Sequence, residues 1–244
     1  MTTIAIISDI HANVVALDTV LADFDEIAPD QVVCLGDVAA TGPAPSQVIA
    51  RLRSRDWRFV RGNCDDAMVH YAAGTVDAPE DEHAGIDAWC TARLSTDEIA
   101  FIAAFEPVVA LDAGGVAICC YHGSPKSNLD EIRPDTAESE LSSCFVGHNA
   151  RVFAGGHTHI QMARRHMEAL VINPGSIGLP FTETVEKTEA NPFWAEYAVI
   201  RIDDGRLGVE LRRTPVDQSS FFEMLAASTM PHRDWWSGDW TDIT

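Results

Sequence analysis

Two histidines end an apolar run at residues 152–161, VFAGGHTHIQ, and stand two positions apart behind two glycines. Imidazoles placed this way after a strand can both face one point, as the ligands of a metal ion must. Five other polar residues also follow apolar runs directly, which makes a set of seven: Asp9, His11, Asp37, Asn63, His122, His157 and His159. Because ligands gather at the carboxyl ends of strands in open α/β sheets, we expect these side chains to converge.

The chemistry of this set indicates a pair of metal ions. It holds two carboxylates, one amide and four imidazoles. Mixed nitrogen and oxygen ligation suits Mn, Fe, Ni, Co or Zn better than Ca, and we place Mn first. Seven ligands are too many for one catalytic ion with open positions, so they predict two divalent ions. Two ions about 3.5–4 Å apart clamp the attacking and leaving oxygens of an in-line phosphoryl displacement, which indicates a phosphoesterase.

The charge of the chain restricts its partners. The 244 residues include 37 Asp and Glu against 17 Lys and Arg, a formal net charge of -20. Such a surface repels duplex nucleic acid and anionic membranes, since affinity for DNA rests mainly on Lys and Arg neutralising phosphates. Bound cations would keep the site itself positive, so we expect a small phosphate-ester or nucleotide substrate rather than a long polyanion.

The apolar runs indicate a chain without membrane spans. None reaches the ~20 residues that a spanning helix needs. The N-terminal MTTIAIISDIHAN has no basic residue before its apolar stretch, so it predicts a first strand rather than a signal peptide. We therefore expect a cytoplasmic location. The six cysteines contain no C-x-x-C pair and are expected to be reduced.

Strands and helices alternate over the first 62 residues, in the order typical of parallel strands joined by right-handed helical crossovers. Apolar runs predict strands at 3–8, 31–36 and 58–62. Two helices are predicted between these strands. Asn13 can act as the N-cap of the first helix, and Pro45 lies in the first turn of the second.

Residues 64–105 interrupt this alternation and are predicted to be mostly helical, as an insertion that caps the strand ends. Within them, Ser95 and Glu98 form a capping-box pattern. We predict a single α/β domain over residues 1–244, with a C-terminal tail at 216–244. The DWWSGDW segment of the tail is expected to fold back over the core, with an exposed docking segment or a homo-oligomer contact as alternatives.

The ordered blocks SDIH, GD, GN, HG and GHTH, with NPGS at 173–176, resemble the calcineurin-like metallophosphoesterase superfamily. The resemblance covers nearly all of residues 1–215. It is nearest to predicted phosphodiesterases of bacteria and archaea that follow GD with a GP turn, here GDVAATGPAP. This resemblance implies a four-layer αββα sandwich, in which two mixed β-sheets are flanked by helices.

The resemblance also implies a role for each member of the set. One ion would be held by Asp9, His11, Asp37 and His159, and a second by Asp37, Asn63, His122 and His157, with Asp37 bridging. The implied mechanism is direct attack on phosphorus by a hydroxide that bridges the two ions, without a covalent enzyme intermediate. We predict Asp37, Asn63 and His122 as the catalytic residues.

One position departs from the family pattern. Many relatives read GNHD where this chain reads GNCD, so Cys64 replaces a histidine that is credited with protonating the leaving group or stabilising the transition state. Some shorter relatives also carry GNCD, so the change need not end activity. A thiol with an ordinary pKa near 8.5 donates a proton poorly, so we predict a bias toward esters with acidic leaving groups. Cys64 itself is expected to be a packing residue, because no nearby base would activate it as a nucleophile.

The residues are also compatible with other functions. Within the enzyme class they are a phosphomonoesterase and a dinucleoside-polyphosphate hydrolase. Outside it the alternative is a binding scaffold, because a retromer subunit shares this fold while lacking activity. All seven positions hold competent ligands, which favours the enzyme.

Overall fold

The computed structural model describes residues 1–76, 80–182 and 190–242. Its strands are β1 (Thr2–Ile7), β2 (Gln31–Cys34), β3 (Arg58–Phe59), β4 (Val109–Ala113), β5 (Val116–Cys120), β6 (Val152–Ala154), β7 (Met162–His166), β8 (Ala169–Asn173), β9 (Asn191–Pro192), β10 (Trp194–Asp203), β11 (Arg206–Pro215) and β12 (Trp240–Thr241). Its helices are α1 (Val14–Ile27), α2 (Pro45–Leu52), α3 (Asn63–Ala72), α4 (Glu82–Thr91), α5 (Thr96–Ala103), α6 (Glu138–Cys144), α7 (Gln218–Ala227) and α8 (Arg233–Ser237). None of these helices combines the length and apolar character that a membrane crossing requires.

The first sheet is mixed and has the strand order β11-β10-β1-β2-β3. β1, β2 and β3 run parallel, whereas β10 is antiparallel to β1 and β11 is antiparallel to β10. Side chains of β1 alternate between two cores: Ile4 and Ile6 pack toward the second sheet, while Ala5 and Ile7 pack toward helices. Because both faces are buried, the strand is a continuous apolar run.

The second sheet is also mixed and has the order β4-β5-β6-β8-β7. β5, β6 and β8 run parallel, and the two edge strands are antiparallel to their neighbours. Ile118 and Val152 share the inner core with the first sheet. On the outer face, Phe153 packs with Leu141 of α6 and with Phe145, which ends that helix. The predicted four-layer αββα sandwich is therefore confirmed.

Local signals in the sequence fix the helix ends. The Asn13 side chain accepts a hydrogen bond from Ala16 N at 3.1 Å and caps α1 as predicted, and Pro45 begins α2. The capping box of α5 is also confirmed: Ser95 Oγ accepts from Glu98 N at 3.3 Å, and Glu98 Oε2 accepts from Ser95 N at 2.8 Å. These side chains satisfy backbone N–H groups that have no partner inside the helix.

The third strand is shorter than predicted. The run at 58–62 forms β-ladder pairing only over Arg58–Phe59. The backbone N–H of Val60 still donates to Cys34 O, but that of Arg61 donates to Glu106 O at 2.8 Å, away from β2. The chain leaves the sheet here, and α3 begins at Asn63.

Three helices, α3, α4 and α5, occupy the segment predicted to be helical, of which residues 77–79 lie outside the described part of the chain. Their apolar side chains Met68, Ile86 and Ile102 belong to the same core as Leu17 of α1. Because cap and sandwich share one core, we propose that they form one domain over residues 1–244, with 183–189 and 243–244 also outside the description.

The C-terminal tail folds back on the core, as predicted, over its described residues. β12 pairs in parallel with β9. Trp236 and Trp240 are buried against Phe221 of α7, and the indole N–H of Trp236 donates to Thr41 O at 2.8 Å. Trp235, in contrast, is 46% exposed.

This contact yields a stability prediction. Trp236→Phe removes the indole donor and leaves the Thr41 carbonyl without it in the interior, so the free energy of unfolding should fall by about 1–3 kcal/mol. Urea denaturation of both proteins measures the difference. Trp235→Phe is the matched control and should change stability by less than about 0.5 kcal/mol. Equal effects of the two substitutions would contradict the buried contact.

Candidate metal centre

The seven predicted residues lie on loops that leave the ends of central strands. Asp9 and His11 follow β1, and Asp37 follows β2. Asn63 is the first residue of α3, just after the third strand. His122 follows β5, and the pair at 157 and 159 follows β6. The loops that follow parallel strands of both sheets thus bring these polar side chains close together.

Asp9, His11 and His159 form the first group, with one ligand atom of each within 4.8 Å of the others. His159 Nε2 lies 3.2 Å from Asp9 Oδ1 and 3.2 Å from His11 Nε2. All three residues are buried. One carboxylate oxygen and two ring nitrogens therefore face a common point.

Asp37, His122 and His157 form the second group on the same 4.8 Å criterion. His122 Nε2 lies 3.3 Å from Asp37 Oδ2 and 3.0 Å from Asn63 Oδ1, which places the amide in this group. The same nitrogen is 4.0 Å from Asp9 Oδ1, so the two groups are neighbours. The structure thus brings together all seven predicted residues.

Left-handed backbone is concentrated at these positions. Five of the seven have positive φ: Asp9 (54°), His11 (45°), Asp37 (54°), His157 (67°) and His159 (55°). This conformation costs of order 1–3 kcal/mol for a residue with a side chain and persists only where the surroundings enforce it. Backbone hydrogen bonds provide that enforcement, since Asp9 N donates to Gly36 O and His11 N donates to Asp37 O, both at 3.0 Å.

The glycines before His157 and Asn63 allow the loops to approach each other. A Cβ at Gly156 would collide with Ser8 Oγ and would lie 2.8 Å from Asp9 Oδ2. A Cβ at Gly62 would collide with the Asp37 carboxylate. These glycines are therefore required by close approach between a loop backbone and a buried carboxylate.

Hydrogen bonds orient two of the imidazole rings. His122 Nδ1 donates to Leu35 O at 2.8 Å, and His159 Nδ1 donates to Leu179 O at 2.6 Å. Because Nδ1 donates to a carbonyl, the Nε2 of each ring faces the carboxylates, and its lone pair can bind a cation when Nε2 carries no proton. This is the arrangement by which metal-ligating histidines are held in the correct tautomer.

The buried ionisable groups of the site shift one another's pKa values. Burial alone would raise the pKa of Asp9, but His159 and His122 outweigh it and lower that pKa to about 2. Burial would likewise lower the pKa of His122, yet Asp37 and Asp9 raise it to about 10. The two carboxylates thus demand positive charge beside them, which an imidazolium or a metal cation can supply.

The donor set fits divalent cations. Asp9 Oδ1 is buried and finds no hydrogen-bond donor among the described residues. Burial and the neighbouring His159 lower the pKa of His11 to about 4, so this imidazole is neutral at pH 7 and can donate a lone pair to a metal ion. A cation at the point faced by these atoms would satisfy them together, and mixed nitrogen and oxygen ligation suits a first-row transition metal.

Sequence reasoning missed Asp65, a fully buried carboxylate next to the second group. Asp65 Oδ2 accepts from Asp37 N and Gly62 N, each at 2.9 Å, and Oδ1 accepts from Val38 N at 3.1 Å. Burial and the charge of Asp37 raise its pKa to about 7. Asp65 ties the loops of Asp37 and Asn63 together, and its place in the GNCD block was the available signal.

Cys64 is half-buried and packs against the apolar core. Its backbone N–H donates to Asp37 Oδ1 at 2.9 Å, and Asn63 Nδ2 lies 3.5 Å from its sulfur. Burial and Asp37 raise the pKa of the thiol well above its usual value. Its sulfur therefore has the surroundings of a packing residue rather than of a reactive thiolate.

Comparison with known families and proteins gives matches over most of the chain. Residues 2–204 match the calcineurin-like phosphoesterase superfamily domain. An uncharacterized protein of Methanocaldococcus jannaschii is 24% identical over an alignment of 247 residues. The alignment covers 97% of this chain and 96% of that protein.

Crystal structures of other proteins share the fold. A metallophosphoesterase from Sphaerobacter thermophilus has a TM-score of 0.76 and 22% identity, with 98% of this chain and 97% of that chain covered. A hypothetical protein from Pyrococcus horikoshii has a TM-score of 0.78 and 19% identity, with 95% of each chain covered. At identities of 22% and 19%, these two matches show a shared architecture alone.

The role of Asp65 can be tested by Asp65→Asn. The amide keeps one acceptor oxygen but turns an NH2 group toward a backbone N–H, so a buried donor loses its partner. We expect a loss of about 1–3 kcal/mol in the free energy of unfolding and a weakening of Mn²⁺ binding by about 10–100-fold. Urea denaturation and calorimetric titration with Mn²⁺ measure the two effects.

Asp66→Asn is the matched control. The Asp66 side chain is 40% exposed and its carboxylate pairs with Arg61 and Asn128. We expect this substitution to cost less than about 1 kcal/mol and to leave Mn²⁺ binding unchanged. Unchanged Mn²⁺ affinity in Asp65→Asn would contradict its positioning role.

Proposed function

Since the chain belongs to the calcineurin-like phosphoesterase superfamily, we propose that it is a metal-dependent phosphodiesterase of small or nucleotide-like esters. The superfamily consists of metal-dependent phosphoesterases, which supports a hydrolase. The observation that carries the proposal is the convergence of two adjacent, largely buried groups of carboxylate and imidazole ligands. A scaffold would have no need to bury so many ionisable groups, because each costs stability unless it is compensated.

Two divalent ions, with Mn²⁺ as our first choice, would be held by the two groups. The first ion would take Asp9, His11, Asp37 and His159, and the second would take Asp37, Asn63, His122 and His157. When bound, such a pair supplies an activated water and neutralises charge on the phosphoryl oxygens. Asp37 is suited to be shared, because its charge acts on the pKa of both His11 and His122.

We assign Asp37, Asn63 and His122 to the reaction itself. Asn63 Oδ1 and the Asp37 carboxylate both lie within 3.3 Å of His122 Nε2. The Leu35 carbonyl fixes the ring of His122, and Asp65 fixes the loops that carry the other two. As ligands, these residues would fix the positions of the cations that hold the phosphoryl group, and preorganisation of this kind lowers the barrier without movement during the reaction.

The proposed substrate is small because of the charge around the site. A formal net charge of -20 opposes long polyanions, whereas cations held at the centre attract a single phosphoryl group. Phosphomonoesters and dinucleoside polyphosphates carry the same group, so they belong in the same assay panel. Faster turnover of either class than of phosphodiesters would replace the phosphodiester assignment.

Asp37→Asn provides the central test. Replacing the shared carboxylate with an amide removes the charge that both ions would need, so kcat on bis-p-nitrophenyl phosphate with Mn²⁺ should fall by about 10²–10³-fold. Steady-state kinetics, with elemental analysis of the purified protein, measure activity and bound metal. Chelation by EDTA should abolish the wild-type rate, and added Mn²⁺ should restore it.

The exposed Asp97 on α5 offers the matched control, and Asp97→Asn should retain the wild-type rate and metal content. A wild-type protein that binds no metal and turns over none of the esters would overturn the proposed function in favour of a scaffold.

A second prediction concerns Cys64 and the leaving group. Without an imidazole at this position, the rate should depend steeply on the acidity of the leaving phenol across a series of substituted phenyl phosphodiesters. Cys64→His supplies a general acid and should raise kcat/KM for the least acidic phenols by about 10²-fold, while changing the nitrophenyl ester little.

Cys64→Ser controls for the loss of the thiol and should keep the steep dependence. The same aromatic ring runs through the whole series, so ring binding stays constant. Wild-type turnover of alkyl esters as fast as nitrophenyl esters would refute the predicted bias.

A further inference from the structure

The ring of Phe181 lies beside the candidate metal centre and is partly exposed. Its ring stacks on His159, with ring centroids 4.8 Å apart and planes 20° from parallel. His159 is buried, yet 41% of Phe181 is exposed. A large apolar side chain gains little folding stability from the part that stays in water, so burial alone does not account for Phe181.

The backbone around Phe181 is fixed on both sides. Before it, Gly178 N donates to Asp9 O at 2.9 Å, and Leu179 O accepts from His159 Nδ1. The next carbonyl, of Pro180, accepts from the buried Asn191 side chain at 3.0 Å. After it, Thr182 and Ala190 exchange two backbone hydrogen bonds at 3.0 and 2.8 Å.

The same hydrogen bonds tie Phe181 to the candidate metal ligands. Leu179 O orients the ring of His159, and Gly178 is bonded to the backbone of Asp9. The aromatic face is therefore positioned by the loops that position the centre. A preorganised ring of this kind can bind a flat partner at low entropic cost.

We propose that Phe181 determines specificity by stacking on a flat aromatic group of the substrate, a nucleobase or an aryl ring. The proposal rests on the proposed function, because the phosphoryl group joined to that ring would be held at the adjacent metal centre. Offset stacking between aromatic rings adds to the energy of simple burial and tolerates any base, since every base has a π-face. Phe181 thus selects esters that carry a ring over esters of sugars or alkyl chains.

Ligand binding, rather than turnover, tests this proposal. The probes are adenosine 5′-monophosphate, ribose 5-phosphate, phenyl phosphate and methyl phosphate, titrated calorimetrically into the protein with Mn²⁺. The wild type should bind each ring-bearing probe about tenfold more tightly than its partner without a ring. Phe181→Ala should remove that difference by weakening the ring-bearing probes alone, and Phe181→Tyr should keep it.

The matched control is Phe222→Ala on α7, a phenylalanine that is 46% exposed and packs with Phe193 and Phe221. It should leave every affinity unchanged. If Phe181→Ala weakens probes with and without a ring equally, Phe181 serves only to support His159 and the proposal fails. It also fails if the wild type shows no preference for the ring.

These outcomes differ from those that bear on the proposed function. Mn²⁺-dependent turnover without a ring preference would contradict the stacking role and still support the phosphoesterase function. A ring preference that depends on Phe181, in a protein with no turnover, would support the stacking role and remove the proposed catalysis. A larger effect on adenosine 5′-monophosphate than on phenyl phosphate would identify the nucleobase as the favoured ring.

Discussion

Two carboxylates, Asp9 and Asp37, are buried at one point of the interior, and the need to compensate their charge governs the site. An uncompensated buried carboxylate is too costly for a domain of ordinary stability to retain. Backbone N–H groups provide part of the compensation, from His157 to Asp9 Oδ2 at 3.1 Å and from Cys64 to Asp37 Oδ1 at 2.9 Å. The imidazoles provide the rest. The same demand for positive charge would allow an acidic protein to attract metal cations and, through them, a phosphoryl group.

The sandwich supports this arrangement by fixing loops from both sheets against each other. Ser176 Oγ donates to Asp9 O at 2.7 Å, and Ile177 N donates to Ser8 O at 3.0 Å. The loop after β8 is therefore hydrogen-bonded to the loop after β1. Asp65 connects the loops after β2 and β3 in the same way. Left-handed conformations at the donor residues are tolerated because each loop is held at several atoms. The stability of the apolar cores thus maintains a strained and charged centre.

Local patterns in the sequence were sufficient to predict the helical insertion and the seven converging side chains, whereas the four-layer sandwich was predicted from the resemblance to a known family. Apolar runs mark strands, and polar residues directly after them mark the strand ends. Thr41 and Phe181 leave no such pattern, and Asp65 is marked only by its place in the GNCD block. Asp65 matters because it accepts hydrogen bonds from three N–H groups of two different loops, and Thr41 O accepts from Trp236, which lies 195 positions away in the chain. Periodicity reports that a side chain is buried but not which distant atom it meets, so these contacts required the structure.

The pairing of β1 with β10 has a consequence for biosynthesis. Thr2 pairs with Ile202, so β1 cannot form all of its sheet pairing until β10 has been synthesised. A ribosome that adds about 5–20 residues per second separates the emergence of these strands by about 10–40 s. During that interval the nascent chain exposes an open strand edge that invites chaperone binding.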